Sequence, residues 1–240
     1  SSLASHLQIN LDSDLADLAF TLAIGRHPFS HRRSLVCTNI TEAIHRLKEP
    51  DSFPPVKVSE NTGVVFMFTG QGSQRINMLR GLYEKESVFR HSADTCASIL
   101  TPLLELDIRE IIWPLTPSQE SFEKLTSTRF AQPALVLLEY SLTQLWMNWG
   151  VKPAAMIGHS IGEWTAACLA GVYSLEDTLS LVALRGRLMD EQPPGDMLAV
   201  SISENELIPH FSVNLCVAAV NAPTQRVALA LHSELHTQRP

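Results

Sequence analysis

Pro153-Ala154-Ala155-Met156-Ile157-Gly158-His159-Ser160-Ile161-Gly162-Glu163-Trp164-Thr165-Ala166-Ala167-Cys168-Leu169 decides the fold. Its first six residues form a short apolar run, suited to a strand buried on both faces of a parallel sheet. The residues from Ser160 onward read as a helix that begins at once, so strand and helix meet in a tight turn at Ser160. A second apolar run, Gly63-Val64-Val65-Phe66-Met67-Phe68, breaks into the loop Thr69-Gly70-Gln71-Gly72-Ser73-Gln74 and reads as another buried strand. Between the two, residues 131–149 place Leu135, Leu138, Leu142, Leu145 and Trp149 on one helical face, with Gly150 ending the helix. Residues 178–191 (TLSLVALRGRLMDE) read as a further amphipathic helix, stopped by QPPG. Strands alternating with helices predict an α/β fold with a mainly parallel sheet. After Pro194 the texture changes: MLAVSIS and NLCVAAV are strand-like with short connections, the start of a smaller α+β unit.

The first 50 residues read as a separate helix–strand–helix unit. Ser13 is expected to cap a helix carrying Leu15, Leu18 and Leu22 and closed by Gly25; SLVCT at 34–38 is strand-like; Thr41 is expected to cap a second helix. The proline-rich stretch EPDSFPPVK reads as a linker.

Composition narrows the functional classes. Of 240 residues, 45% are hydrophobic and 18% charged, which is ordinary for a packed core and excludes a disordered chain. Eighteen Lys and Arg against 25 Asp and Glu give a formal charge of −7, so no basic surface for nucleic acid is expected. No apolar stretch is long enough to span a membrane, and SSLASHLQINLDSD has no signal-peptide pattern. The cytoplasm is therefore the expected location, and the missing initiator Met reads as a piece of a longer polypeptide. Cys37, Cys96, Cys168 and Cys216 lie 59, 72 and 48 residues apart, a spacing that fits neither a zinc site nor a dense disulfide framework. They read as small buried hydrophobes in a reducing compartment, and no metal is expected.

Gly158-His159-Ser160-Ile161-Gly162 carries the strongest chemical signal. A serine hydroxyl is a poor nucleophile unless exposed, oriented and deprotonated by a base. A strand that turns directly into a helix exposes it, and glycines two positions either side let backbone approach closely. The helix N-terminus adds free N–H groups and the positive end of a dipole. The other reading of the same pattern is a plain tight turn. In the loop after the first strand, small residues around Gln71 would let its backbone N–H face a reacting carbonyl, paired with the N–H of Ile161. Two such donors make an oxyanion hole. Read alone, that loop is more readily a simple glycine turn than a donor loop, and it lacks the lysine of a phosphate-binding loop.

FTGQGSQ, TRFAQPAL, GHSIGEWTAACLAG and RGRLM, in that order, resemble the malonyl-CoA:acyl-carrier-protein acyltransferase family, most nearly the acyltransferase domains of modular polyketide synthases. The leading DLAFTLAIGRHPFSHRR resembles the linker between a ketosynthase and its acyltransferase. The resemblance implies a linker unit at 1–57, a partial α/β-hydrolase-like large subdomain at 58–195, and the beginning of a ferredoxin-like small subdomain at 196–240. It implies transfer of a malonyl-type unit from CoA to an acyl carrier protein through a serine acyl-enzyme. Acyl-CoA would be a substrate, phosphopantetheine would sit on the carrier, no cofactor would be held, and a ketosynthase would be adjacent. Ser160 matches the nucleophile, Gln71 and Ile161 the oxyanion donors, and Arg185 the arginine that binds the extender carboxylate. A guanidinium suits that task because its fork makes two parallel hydrogen bonds. Arg187, about 200° further round the helix, is expected in solvent. Gln132 matches a glutamine near the family's site. His159, adjacent to Ser160, points away from it and is expected to shape the pocket or pack. GHSIGE is a form that accompanies malonyl rather than methylmalonyl selection, whereas Trp164 and RINML depart from the family's pattern. The family's histidine base lies beyond the small subdomain, and the chain runs only 80 residues past Ser160. His210, His232 and His236 match no such motif, so slow or absent turnover by this chain alone is expected. The competing readings are a serine esterase or thioesterase, which would need no Arg185, and a non-catalytic scaffold segment of a megasynthase.

Overall fold

The computed structural model describes residues 2–49, 54–58, 62–193, 195–210 and 215–231. The chain divides into two compact units, Ser1–Gly63 and Val64–Pro240. The first holds α1 (Ser2–Ile9), α2 (Leu15–Ile24), β1 (His31–Arg32), α3 (Ile40–Lys48) and β2 (Val56–Lys57). Its small core is Leu7, Ile40 and Ala43, with Leu15 and Leu18 packed against it.

Here the structure corrects three local expectations. Asp14, not Ser13, caps α2 by accepting from Asp17 N at 2.9 Å; the Ser13 hydroxyl is turned back onto Asn10 O. Asn39, not Thr41, caps α3, accepting from Glu42 N at 2.8 Å. Asp14 and Asn39 are each the extended residue immediately before the helix, the position from which a side-chain oxygen can cap it. SLVCT forms no strand. The strand instead comes from His31–Arg32, paired antiparallel with Val56–Lys57 at the end of the stretch read as linker. Residues 50–53 of that stretch lie outside the described residues.

In the second unit, β3 (Val64–Phe68) is followed by α4 (Arg80–Lys85), α5 (Ser87–Leu104), α6 (Ile108–Ile112), α7 (Gln119–Thr126) and α8 (Thr128–Asn148). Then come β4 (Pro153–Gly158), α9 (Gly162–Leu169), α10 (Leu175–Asp190), β5 (Gly195–Val200), α11 (Glu204–Leu207), β6 (Leu215–Ala222) and β7 (Gln225–Leu231). The core is largely helix on helix: Phe89, Ala93, Cys96, Leu100 and Leu104 of α5 meet Leu135, Leu138 and Leu145 of α8 and Leu179 and Val182 of α10. Trp149, expected on the apolar face of α8, sits at its C-cap, 52% exposed, edge-on to Trp146.

β3 and β4 pair in parallel, with Phe68 opposite Gly158. Register alone therefore brings the two loops that leave them, 69–74 and 159–161, out side by side at the carboxyl ends of the strands, where open α/β sheets bind ligands. The expectation that both strands are buried on both faces is corrected. Val65, Met67 and Ile157 are 53%, 78% and 56% exposed, while Phe68 is buried, because helices cover one side only among the described residues. β5, β7 and β6 form an antiparallel sheet in that order, and β7 has no counterpart in the sequence reading. The molecule is thus a mixed α/β protein with a parallel strand pair and a separate small antiparallel sheet.

Candidate active site

Ser160 occupies the turn between β4 and α9 with φ +52°, a left-handed conformation that a serine adopts only when its surroundings impose it. The surroundings are the two flanking glycines. A Cβ on Gly158 would lie 2.2 Å from Glu163 N, and one on Gly162 would lie 2.7 Å from the carbonyl oxygens of Phe68 and Thr69. No side chain fits at either place, so strand, turn and helix are held at backbone contact with the end of β3. The His159 N–H completes this by donating to Phe68 O at 3.0 Å.

Ser160 is exposed, and among the described residues its hydroxyl makes no hydrogen bond. The backbone N–H groups of Gln71 and of Ile161, whose side chain is fully buried, likewise find no acceptor among the described residues. Donors without acceptors on the two loops and an exposed hydroxyl in a strained turn are what an oxyanion-binding nucleophile site would require.

His159 points away from Ser160. Its Nε2 lies 3.2 Å from Asn221 Oδ1 on β6, and its ring covers Gly70, where a Cβ would come within 2.5 Å of Nδ1. It bridges the donor loop to the small sheet, a contact that sequence alone did not show. The side chain of His210, and all of His232 and His236, lie outside the described residues.

Arg185, half-buried on α10, donates from Nη1 to Gln132 Oε1 at 2.6 Å. Gln132, almost completely buried, donates onward to Gln71 Oε1 at 3.1 Å, and Gln71 Nε2 donates to Thr128 Oγ1 at 3.1 Å. The structure therefore joins Arg185, Gln132 and Gln71 in one hydrogen-bonded chain. Among the described residues Arg185 forms no ion pair, which leaves most of its fork for an external anion, whereas exposed Arg187 lies 3.9 Å from Glu191 as expected of a solvated neighbour. Gly186 makes the approach possible: a Cβ there would lie 2.9 Å from Thr128 O, so α10 rests directly on the first turn of α8.

Glu139 went unnoticed in the sequence. It accepts from Thr69 N at 2.7 Å and from the hydroxyls of Thr69 and Thr165 at 2.8 Å each. Burial pushes its carboxyl up, and the three hydrogen bonds oppose that shift without cancelling it. An acid inside the apolar run LVLLEYSL was the available signal.

Residues 65–235 match the family model of the acyl transferase domain, and residues 1–47 match that of the CurL-like C-terminal region of polyketide synthases. A hybrid polyketide–nonribosomal peptide synthetase of Aspergillus niger is 36% identical over 236 residues, covering 94% of this chain and 13% of the synthetase. The solved acyl transferase domain of ZmaA is 41% identical with a TM-score of 0.87, over 98% of this chain and 56% of that one. A malonyl-transacylase solved in complex with its type II polyketide synthase acyl carrier protein is 26% identical with a TM-score of 0.61, over 73% of this chain and 57% of that one. The family match and the fold define an acyltransferase. The chain belongs to the acyl transferase domain family, in the form found in polyketide synthases. It spans about half the length of the solved domains it matches and about a tenth of the curated synthases.

Proposed function

We propose that Ser160 carries a malonyl-type acyl group between CoA and an acyl carrier protein. The observation that supports this best is Ser160 itself: exposed, strained and without a hydrogen-bond partner among the described residues, while the N–H groups of Gln71 and Ile161 on the two neighbouring loops also lack acceptors there. Its Oγ attacks the thioester carbonyl while the hydroxyl proton passes to a general base, which the described residues do not supply. The two N–H groups take the negative charge that grows on the carbonyl oxygen. The carbon–sulfur bond then breaks, the CoA thiol leaves with a proton, and the phosphopantetheine thiol of the carrier reverses the sequence. Arg185, free of any ion pair among the described residues, holds the distal carboxylate that distinguishes malonyl from acetyl. The malonyl-transacylase neighbour supports this substrate class, and its carrier complex supports that partner. The segment matching the synthase C-terminal family fits a linker following a ketosynthase.

Incubation of this chain, extended to the full length of the solved domains, with malonyl-CoA and then intact-mass measurement tests the reading. One added malonyl group, absent in Ser160→Ala, is expected; label persisting in Ser160→Ala would overturn it. An esterase would instead release the acyl group to water and be indifferent to Arg185.

A further inference from the structure

We propose that Glu139 is a positioning residue for acyl transfer: its one carboxylate ties the start of the oxyanion-donor loop to the helix behind the nucleophile. The inference rests on the acyl-enzyme reading above and adds a residue to it.

The geometry is a three-way tie. Oε1 receives both the backbone N–H and the hydroxyl of Thr69, the first residue of the loop that carries Gln71. Oε2 receives the hydroxyl of Thr165, fully buried on α9 at the second turn after Ser160. Glu139 itself stands in the middle of α8, the longest helix of the core. One side chain thus sets the distance between the two segments whose N–H groups must converge on a single oxygen. Thr69 passes the constraint on, because its hydroxyl also lies 2.8 Å from that of Ser73, which in turn reaches Gly70 O at 3.0 Å, across Gln71.

A carboxylate suits this tie because both of its oxygens accept. A glutamine of equal size can keep Thr69 on its carbonyl oxygen and meet Thr165 with its NH₂ once that hydroxyl turns from donor to acceptor, whereas a methionine accepts from neither segment. A residue kept only for stability would be poorly chosen here. Desolvating a carboxylate is costly, and a neutral group of the same shape often does as well or better when stability alone is at stake. The same tie made by an ion gives geometry rather than stability, and misplacing reacting groups by about an ångström can cost about a hundredfold in rate.

The test compares Glu139→Met, which accepts from neither segment, and the nearly isosteric Thr165→Val with wild type in three readouts: melting temperature, amide exchange of residues 69–74, and the concentration dependence of Ser160 malonylation by malonyl-CoA. Glu139→Met removes a costly desolvated carboxylate together with its hydrogen bonds, so it should melt within several degrees of wild type. Exchange in 69–74 should rise at least severalfold, and the maximal acylation rate should fall about ten- to a hundredfold with little change in half-saturating concentration. Thr165→Val, which cuts only the tie to α9, should leave exchange in 69–74 nearer wild type but lower the rate in the same sense. Wild-type exchange in 69–74 in Glu139→Met overturns the proposal, as does a fall in melting temperature that alone accounts for the lost rate. Label that survives Ser160→Ala strikes at the acyl-enzyme reading instead. In that case, or if wild type takes no label, exchange in 69–74 decides the role of Glu139 by itself.

Discussion

Arg185 shows how one residue can be read twice. In the sequence it is an arginine on an amphipathic helix, and only the ordered motifs around it mark it for a carboxylate. In the structure its Nη1 is held by Gln132 and, among the described residues, no acid neutralises it. On the proposed function, Arg185→Ala should weaken malonyl transfer by roughly ten- to a few-hundredfold, since a charge-assisted pair is worth about 1.5–3 kcal/mol. Acetyl transfer should be spared or raised, and Arg185→Lys should recover only part of the loss because it lacks the fork. Paired rates with malonyl-CoA and acetyl-CoA check this; equal losses would make the residue structural. Glu139 carries a pH prediction of its own. Its folded carboxyl is raised above the ordinary value, so its contribution to stability is present below the ordinary carboxylate range and lost as pH rises through the folded value. Glu139→Gln should therefore gain on wild type in melting temperature as pH rises from acid to neutral. Ser160, Gln71, Ile161, Gln132 and Arg185 were legible as residues because glycines and ordered motifs surround them. Glu139 and Asn221 were not, since each acts through a partner tens of residues away that no local pattern announces.

At the scale of elements, the site is made by strand register and glycine. Gly158→Ala and Gly162→Ala each push a methyl into backbone, which has no rotamer to change. Each should cost about 1–3 kcal/mol or more, seen as a lowered melting temperature together with lost Ser160 labelling. The strands themselves are asymmetric. Met67→Lys, on the exposed side, should change stability by less than about 0.5 kcal/mol, whereas Phe68→Ala, on the covered side, should cost about 3 kcal/mol or more by the same melting experiment. Sequence located β3, β4, α8, α9 and α10 because apolar runs and 3.6-residue periods are local signals. It assigned burial on both faces wrongly because an apolar run records what a strand tolerates, not how many layers cover it. It passed over α4, α6 and α7, which are short enough that packing against α5 and α8 decides them, and it passed over α5 as well, although that helix is 18 residues long and apolar on one side.

For the molecule as a whole, the four cysteines distinguish interior from surface. Cys96 is buried, and burial pushes its thiol up to about 12. Cys216, expected in the interior, is exposed on β6. Alkylation by iodoacetamide near pH 8 should therefore modify Cys216 in the native protein, and Cys96 only after denaturant is added, with peptide mapping as the readout. Burial of that kind depends on which helices meet, and the spacing of cysteines along the chain carries no trace of it.

Gly186 has a consequence for anyone who would redesign what this domain accepts. Gly186 is the spacer between α10 and the opening of α8. On the proposed function, a single methyl there would lift one helix off the other and carry its neighbour Arg185 with it, shifting the seat proposed for the anion without changing its chemistry. Selectivity would then be tunable from behind the pocket wall, by helix spacing, in steps no finer than one carbon atom.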